Sequence, residues 1–287
     1  VIQVLAIGDV MGKAGRNALQ AGLARVRAMT TPHITIINGE NAAGGFGLTR
    51  KIFDSFIQQH GVDCVTMGNH WHDKREILEW ADREDRLVLP ANMMNCQDDL
   101  HGLRLLRSQN GTEYAVVNLI GRAFMHADNR SPFTAVDRVL ERIPDRIKVR
   151  IVDIHAEATS EKQAMAHYLS GRVSLVYGTH SHVPTSDERL IDGKTGFTTD
   201  LGMTGPYDSV IGIKKDASIR RLRTGEKSNF EPASEDLWFC GVLTEIDPVT
   251  GHCHKIQRLQ WRGLDKNESS NTVLGKASSQ QPEPFVI

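Results

Sequence analysis

Five times along this 287-residue chain, a run of aliphatic and β-branched residues stops and hands over to a carboxylate, an amide or an imidazole. The clearest case is Val173-Ser174-Leu175-Val176-Tyr177, followed by Gly178-Thr179-His180-Ser181-His182. In an extended segment, residues i and i+2 point the same way. His180 and His182 can therefore face one cavity, each offering a ring nitrogen to a metal. A lone His-x-His is a weak signal, since most histidines are surface or hydrogen-bonded core residues. Its weight depends on the other four cases.

The first run, Val1–Ile7, ends at Gly8-Asp9. A helical pattern follows with Leu19, Leu23 and Val26. The glycines here fit neither GxGxxG nor a P-loop, so Asp9 reads as a carboxylate at the C-terminal end of a central strand, where open α/β sheets place ligands. The second run, Ile34–Asn38, ends at Gly39-Glu40-Asn41, and the nearby Gly44 and Gly45 allow close backbone approach to a ligand. The third, Val62–Met67, ends at Gly68-Asn69-His70-Trp71-His72-Asp73. Another, Val149–Ile154, ends at His155. Taken singly, Glu40 reads equally as a surface carboxylate and Asn41 or Asn69 as a turn cap.

Between these runs, Ile52, Phe53, Phe56 and Ile57 form a helical stripe, and helical pattern returns over Lys74–Ala81 and Phe133–Ile143. Leu87–Asn92 forms another short apolar run, and Tyr114–Leu119 reads as a strand leading to Gly121-Arg122 and a polar loop, Ala123–Pro132, at a pocket rim. Thr159 or Ser160 is expected to cap the helix after His155, with Glu157 or Glu161 in its first turn. Thr198–Asp208 reads as a loop. Leu237–Ile246 and His254–Trp261 are expected to be antiparallel strands finishing a second sheet. His252-Cys253-His254 follows a hairpin turn and reads as exposed strand, not a metal site. The tail from Asp265 is rich in Ser, Asn, Gln and Lys and is expected to be disordered, leaving residues 1–264 as one domain.

Lys plus Arg is 34 and Asp plus Glu is 35, a net charge of -1. That balance argues against stable nucleic-acid or anionic-membrane binding. It leaves room for a small phosphate-bearing substrate. Cys64, Cys96, Cys240 and Cys253 form no CxxC pair or dense framework, which favours a reduced, cytoplasmic setting. The N-terminal run lacks a basic flank and reads as a strand, not a signal peptide. Nothing approaches the ~20 apolar residues of a membrane span. Homo-oligomerisation is expected only from its general frequency.

Parallel strands bring their C-terminal ends together on one sheet edge. Asp9, Glu40, Asn41, Asn69, His70, His155, His180 and His182 would then converge. Carboxylate, amide oxygen and imidazole suit Mn, Fe or Zn, not a thiolate-selective site. There are more ligands than one tetrahedral ion needs, so two ions with a bridging carboxylate would use them.

The order Asp, Gly-Glu-Asn, Gly-Asn-His, His and Gly-Thr-His-x-His resembles the calcineurin-like metallophosphoesterases. It is most similar to their YmdB-like branch, whose members are 2',3'-cyclic-nucleotide 2'-phosphodiesterases. The stretches that carry it are Ile7–Val10, Ile36–Gly45, Thr66–His70, His155–Lys162, Gly178–Thr185 and Met203–Asp208. The chain departs from the wider superfamily at Met11, where a His is usual, and at Glu40, where an Asp is usual. Trp71-His72 departs from the branch itself.

The resemblance implies a four-layer α/β/β/α sandwich with two mixed sheets. It implies two divalent or trivalent ions, Fe or Mn first, with Zn or Mg as alternatives. One would take Asp9, Glu40, Asn41 and His182; the other Glu40, Asn69, His155 and His180. His70 would stand near the scissile phosphate as general acid, while a hydroxide held between the ions attacks phosphorus. Gly44, Gly45 and Arg122 are candidate substrate contacts. Two other readings stay open: an RNA-associated regulatory metalloprotein with incidental turnover, and a phosphomonoesterase or nuclease on the same site.

Overall fold

The computed structural model describes residues 1–93, 99–125, 129–227 and 229–265. Its layering starts from β1 (Ile2–Ile7), which is buried on both faces. Leu5 and Ile7 pack in one core with Leu19, Leu23 and Val26 of α1 (Gly12–Met29). Ile2, Val4 and Ala6 pack in another, against Val116, Ile151 and Leu175. Alternation along an extended chain divides the two sets.

After β1 come β2 (Ile34–Asn38), α2 (Arg50–Asp54), β3 (Cys64–Thr66) and β4 (Leu87–Val88). These four strands are parallel. Thr49 caps α2 through the Ile52 N–H, and the helix runs on into a π-helical turn at Ser55–Gln59. Lys74–Ala81 does not form an α-helix. It makes short 3₁₀ turns at Arg75–Glu79 and Ala81–Arg83, with Ile77 and Ala81 as the buried positions. Two buried side chains anchor such turns without giving an α-helical stripe.

The second sheet is built from β5 (Leu103–Arg107), β6 (Glu113–Ile120), α3 (Pro132–Leu140), β7 (Val149–His155), α4 (Thr159–Tyr168), β8 (Leu175–Thr179), β9 (Arg189–Ile191) and β10 (Thr195–Thr198). Its order is β5-β6-β7-β8-β10-β9, with parallel pairing from β6 to β10. Val136, Val139, Met165 and Ala166 of α3 and α4 pack on its outer face with Val117, Val152 and Val176. The layers are therefore helix, sheet, sheet, helix, and the apolar seam between the sheets is continuous.

The expected side-chain cap on α4 is absent. Ala158 is the N-cap and makes no such bond, and Glu161 turns instead to the backbone of Arg122 and Ala123. The chain then adds β11 (Gly205–Pro206), α5 (Lys215–Thr224), β12 (Leu237–Ile246) and β13 (Cys253–Trp261). β12 pairs antiparallel with β1, from Ile2 opposite Ile246 to Ile7 opposite Gly241. The last two strands thus finish the first sheet, not the second. Hydrophobic alternation shows that a strand exists but not which edge it joins.

In the His252-Cys253-His254 stretch, Cys253 is fully buried and His254 exposed. The tail expectation lies outside the described residues beyond Asp265, as does Cys96. Among the described residues, no helix is long and apolar enough to cross a membrane.

Gly22 of α1 faces Phe239 of β12, and a Cβ there would lie 2.0 Å from the ring. In an ordinary helix, Gly→Ala stabilises by ~0.5–1 kcal/mol. Here the sign should reverse. Gly22→Ala is expected to destabilise by ~1–3 kcal/mol through overpacking, read from the urea unfolding midpoint. A raised midpoint would show that α1 does not sit this close to the sheet.

Candidate active site

The expected single sheet edge is in fact a junction of two sheets. The ends of β1, β2 and β3 bring Asp9, Glu40, Asn41 and Asn69. The ends of β7 and β8 bring His155, His180 and His182. Register sets His155 beside Thr179, the last residue of β8, so the residues that follow β8 fall next to the His155 ring.

His155 is fully buried, and its Nε2 has three close neighbours. Asn69 Oδ1 lies at 2.9 Å, His180 Nδ1 at 3.0 Å and Glu40 Oε1 at 3.1 Å. Ligand atoms of Glu40, His155 and His180 all fall within 4.8 Å of one another. A second group adjoins the first. His182 Nε2 is 3.2 Å from Asn41 Oδ1. Asp9 links the two: its Oδ2 accepts the His180 N–H at 3.3 Å, and its Oδ1 is buried without a hydrogen-bond partner, 3.9 Å from His155 Nδ1.

Hydrogen bonds fix which ring nitrogens face this space. The Thr179 hydroxyl donates to Asp153 Oδ1 at 2.7 Å, so the 2.9 Å contact with His155 Nδ1 needs the proton on the ring. His155 Nε2 is then the atom offered to the cluster. His182 Nδ1 donates to the Ile211 carbonyl at 2.8 Å, which turns its Nε2 lone pair towards Asn41. Asn41 in turn donates to the Gly45 carbonyl at 3.0 Å, so its oxygen faces His182.

Acceptor therefore faces acceptor at His182 and Asn41, and three neighbours crowd His155 Nε2. One proton can serve only one of them. Ligands ~2.0–2.2 Å from one ion, at about right angles, lie ~3 Å apart. The observed spacings have that size, and the residues present fit divalent cations.

Electrostatics point the same way. Burial favours neutral Asp9 and raises its pKa. Burial also opposes charge on His155, yet Glu40, Asp9 and Asp153 together lift it to about 9. Glu40 would rise through burial, but His155 and then His70 hold it at about 2. Burial and the neighbouring His155 push His180 down to about 3. Buried Glu40 and its carboxylate neighbours favour a positive partner, and here His155 supplies it. Gly68 makes the crowding possible: a Cβ there would come 2.3 Å from both Glu40 Oε2 and His155 Nε2.

His70 stands at the edge of this cluster, half-buried. Its N–H donates to Glu40 Oε2 at 3.0 Å, and its Nδ1 lies 2.8 Å from Asp73 Oδ2. The Phe46 ring meets it edge-on at 5.0 Å. Gly44 is exposed, whereas Gly45 is buried against Met11 and Pro232 and closes the turn that holds Asn41. Arg122 follows β6 at the rim. Its side chain is exposed, and Glu161 accepts its N–H at 3.0 Å.

Sequence reasoning assigned no part to Asp153, Asp73 or Asp200. Asp153 had a signal, a carboxylate within the apolar run Val149–Ile154. Asp73 lies three residues from His70 in a loop of ordinary polar composition.

A family model for YmdB-like proteins matches residues 5–259. A 2',3'-cyclic-nucleotide 2'-phosphodiesterase of Bacillus subtilis is 42% identical over 258 residues, covering 90% of this chain and 96% of that protein. A solved structure from Thermus thermophilus superposes with a TM-score of 0.83 at 37% identity, covering 91% of this chain and 100% of that one. Another, described as a novel phosphatase from Mycoplasma pneumoniae, has a TM-score of 0.83 at 30% identity, covering 93% and 98%. On this evidence of sequence and fold, the chain belongs to the YmdB-like family.

Proposed function

We propose that this protein is a dinuclear metal-dependent phosphodiesterase that hydrolyses small cyclic nucleotides such as 2',3'-cyclic AMP. The observation that carries the reading is the crowding of Glu40, Asn69 and His180 around one buried ring nitrogen of His155. The activity of the Bacillus relative supports the substrate class. Asp9, Glu40, Asn41 and His182 would hold one cation, and Glu40, Asn69, His155 and His180 the other. Bound there, the cations would supply Lewis acidity, lowering the pKa of water and neutralising charge on the phosphoryl oxygens.

The chain's own residues do the rest. Asp73 holds His70 Nδ1, leaving Nε2 free to carry a proton to the departing 2'-oxygen. Cleavage of the bond between phosphorus and that oxygen leaves the 3'-phosphate. Phe46 packs against the ring and limits its rotation. Gly44 and Arg122 are the exposed candidates for contact with substrate. The near-neutral charge suits a small substrate better than a long polyanion.

Protein stripped with a chelator should lose hydrolysis of 2',3'-cyclic AMP and regain it with Mn(II) or Fe(II). Two metal ions per chain should be taken up. Full activity with no bound metal would refute the reading. A panel including a phosphomonoester separates the phosphatase reading suggested by the Mycoplasma structure's description.

His70→Ala should keep its metal and lower kcat by ~10²–10⁴-fold, the usual contribution of a general acid. Asp73→Asn should lower it by less, since the ring remains but its orientation is freer. A fully active His70→Ala would remove His70 from proton transfer.

A further inference from the structure

We propose that the buried Lys162–Asp200 pair is a positioning element for the His180–His182 loop. Lys162 Nζ lies 2.6 Å from Asp200 Oδ2, with both side chains 1% exposed. The same oxygen accepts the N–H of Ser181 at 3.2 Å, and Asp200 Oδ1 accepts the N–H of Gly202 at 2.8 Å. Ser181 is the residue between the two imidazoles.

Both flanking histidines need holding. His180 has φ 98° and His182 φ 65°, a region that side chains other than glycine seldom adopt. His180 is tied through its N–H to Asp9 and His182 through its carbonyl to the N–H of Met203. Asp200 fixes the residue in the middle. Lys162 sits on α4, just after the strand that carries His155. The pair therefore joins the element behind one imidazole to the loop bearing the other two.

Its burial excludes direct contact with substrate. A buried ion pair is also weak evidence for stability, because desolvation offsets most of the attraction. What the pair supplies is a carboxylate oxygen fixed in place as the acceptor for the Ser181 N–H.

This inference rests on His180 and His182 being metal ligands. The test compares two full-length double variants, neither leaving a buried charge unpaired. Lys162→Met/Asp200→Asn keeps one acceptor oxygen for the two N–H groups, of Ser181 and Gly202, that Asp200 serves. Lys162→Met/Asp200→Leu removes it and fills the space. Each is stripped and titrated with Mn(II) by calorimetry, with circular dichroism and a melting curve to show folding. The Asn variant should bind Mn(II) close to the native protein. The Leu variant should bind ~10–100-fold more weakly, the usual loss when a partner behind a metal ligand is removed. Lys162→Met/Asp200→Ala gives the same comparison should the Leu variant not fold. Equal Mn(II) affinity in folded variants with and without the acceptor would overturn the proposal while leaving the metal site standing. Native protein that takes up no Mn(II) or Fe(II) would overturn the functional reading beneath it.

Discussion

Among the described residues, the carboxylates of Asp9, Glu40, Asp153 and Asp200 are all buried, and holding them in a dry interior is the constraint on which this region depends. All lie where the two sheets meet at the C-terminal ends of their strands. Several carboxylates cannot share a dry interior uncompensated. Two compensations are built into the chain: the Lys162 ammonium against Asp200, and the His155 imidazole against Glu40. They leave Asp9 Oδ1 without a partner and several acceptors facing one another. The fold asks for cations here, and the donor set suits metal ions.

The apolar architecture makes that concentration tolerable. Two sheets, each covered by helices on its outer face, meet through a seam of Ile, Val and Tyr side chains. The seam gives rigidity to the strands, and the strands fix where their ends fall. Polar residues at the top of the seam, Asn38, Thr66, Asp153 and Thr179, form one hydrogen-bonded set below the cluster. Through Thr179 that set decides which nitrogen of His155 faces the ligands.

Much of this was legible in the sequence, and the rest had physical reasons for being hidden. The strands bearing Asp9, Glu40, Asn69 and His155 announced themselves by apolar runs that stop at a polar group. Their gathering followed from parallel pairing. That they come from two sheets did not, because periodicity carries no partner information; the same limit misplaced β12 and β13. Helix α5 escaped notice because Ile219 and Leu222 are exposed and only Ser218 is buried. The edge strand β5 alternates with exposed Leu105 and was equally quiet. Asp200, in a loop of Gly and Thr, gave no hint that its partner would be a lysine on α4.

The pairing of β1 with β12 sets a schedule for biogenesis. Ile2 leaves the ribosome long before Ile246 and can pair with it only after the whole intervening chain has been made. Until then β1 has an unpaired edge beside Asp9, and non-local pairing of this kind is slow. The second sheet, whose strands follow one another closely, can assemble earlier. Nascent chains should therefore bring His155, His180 and His182 together before the antiparallel partner of the Asp9 strand has been made.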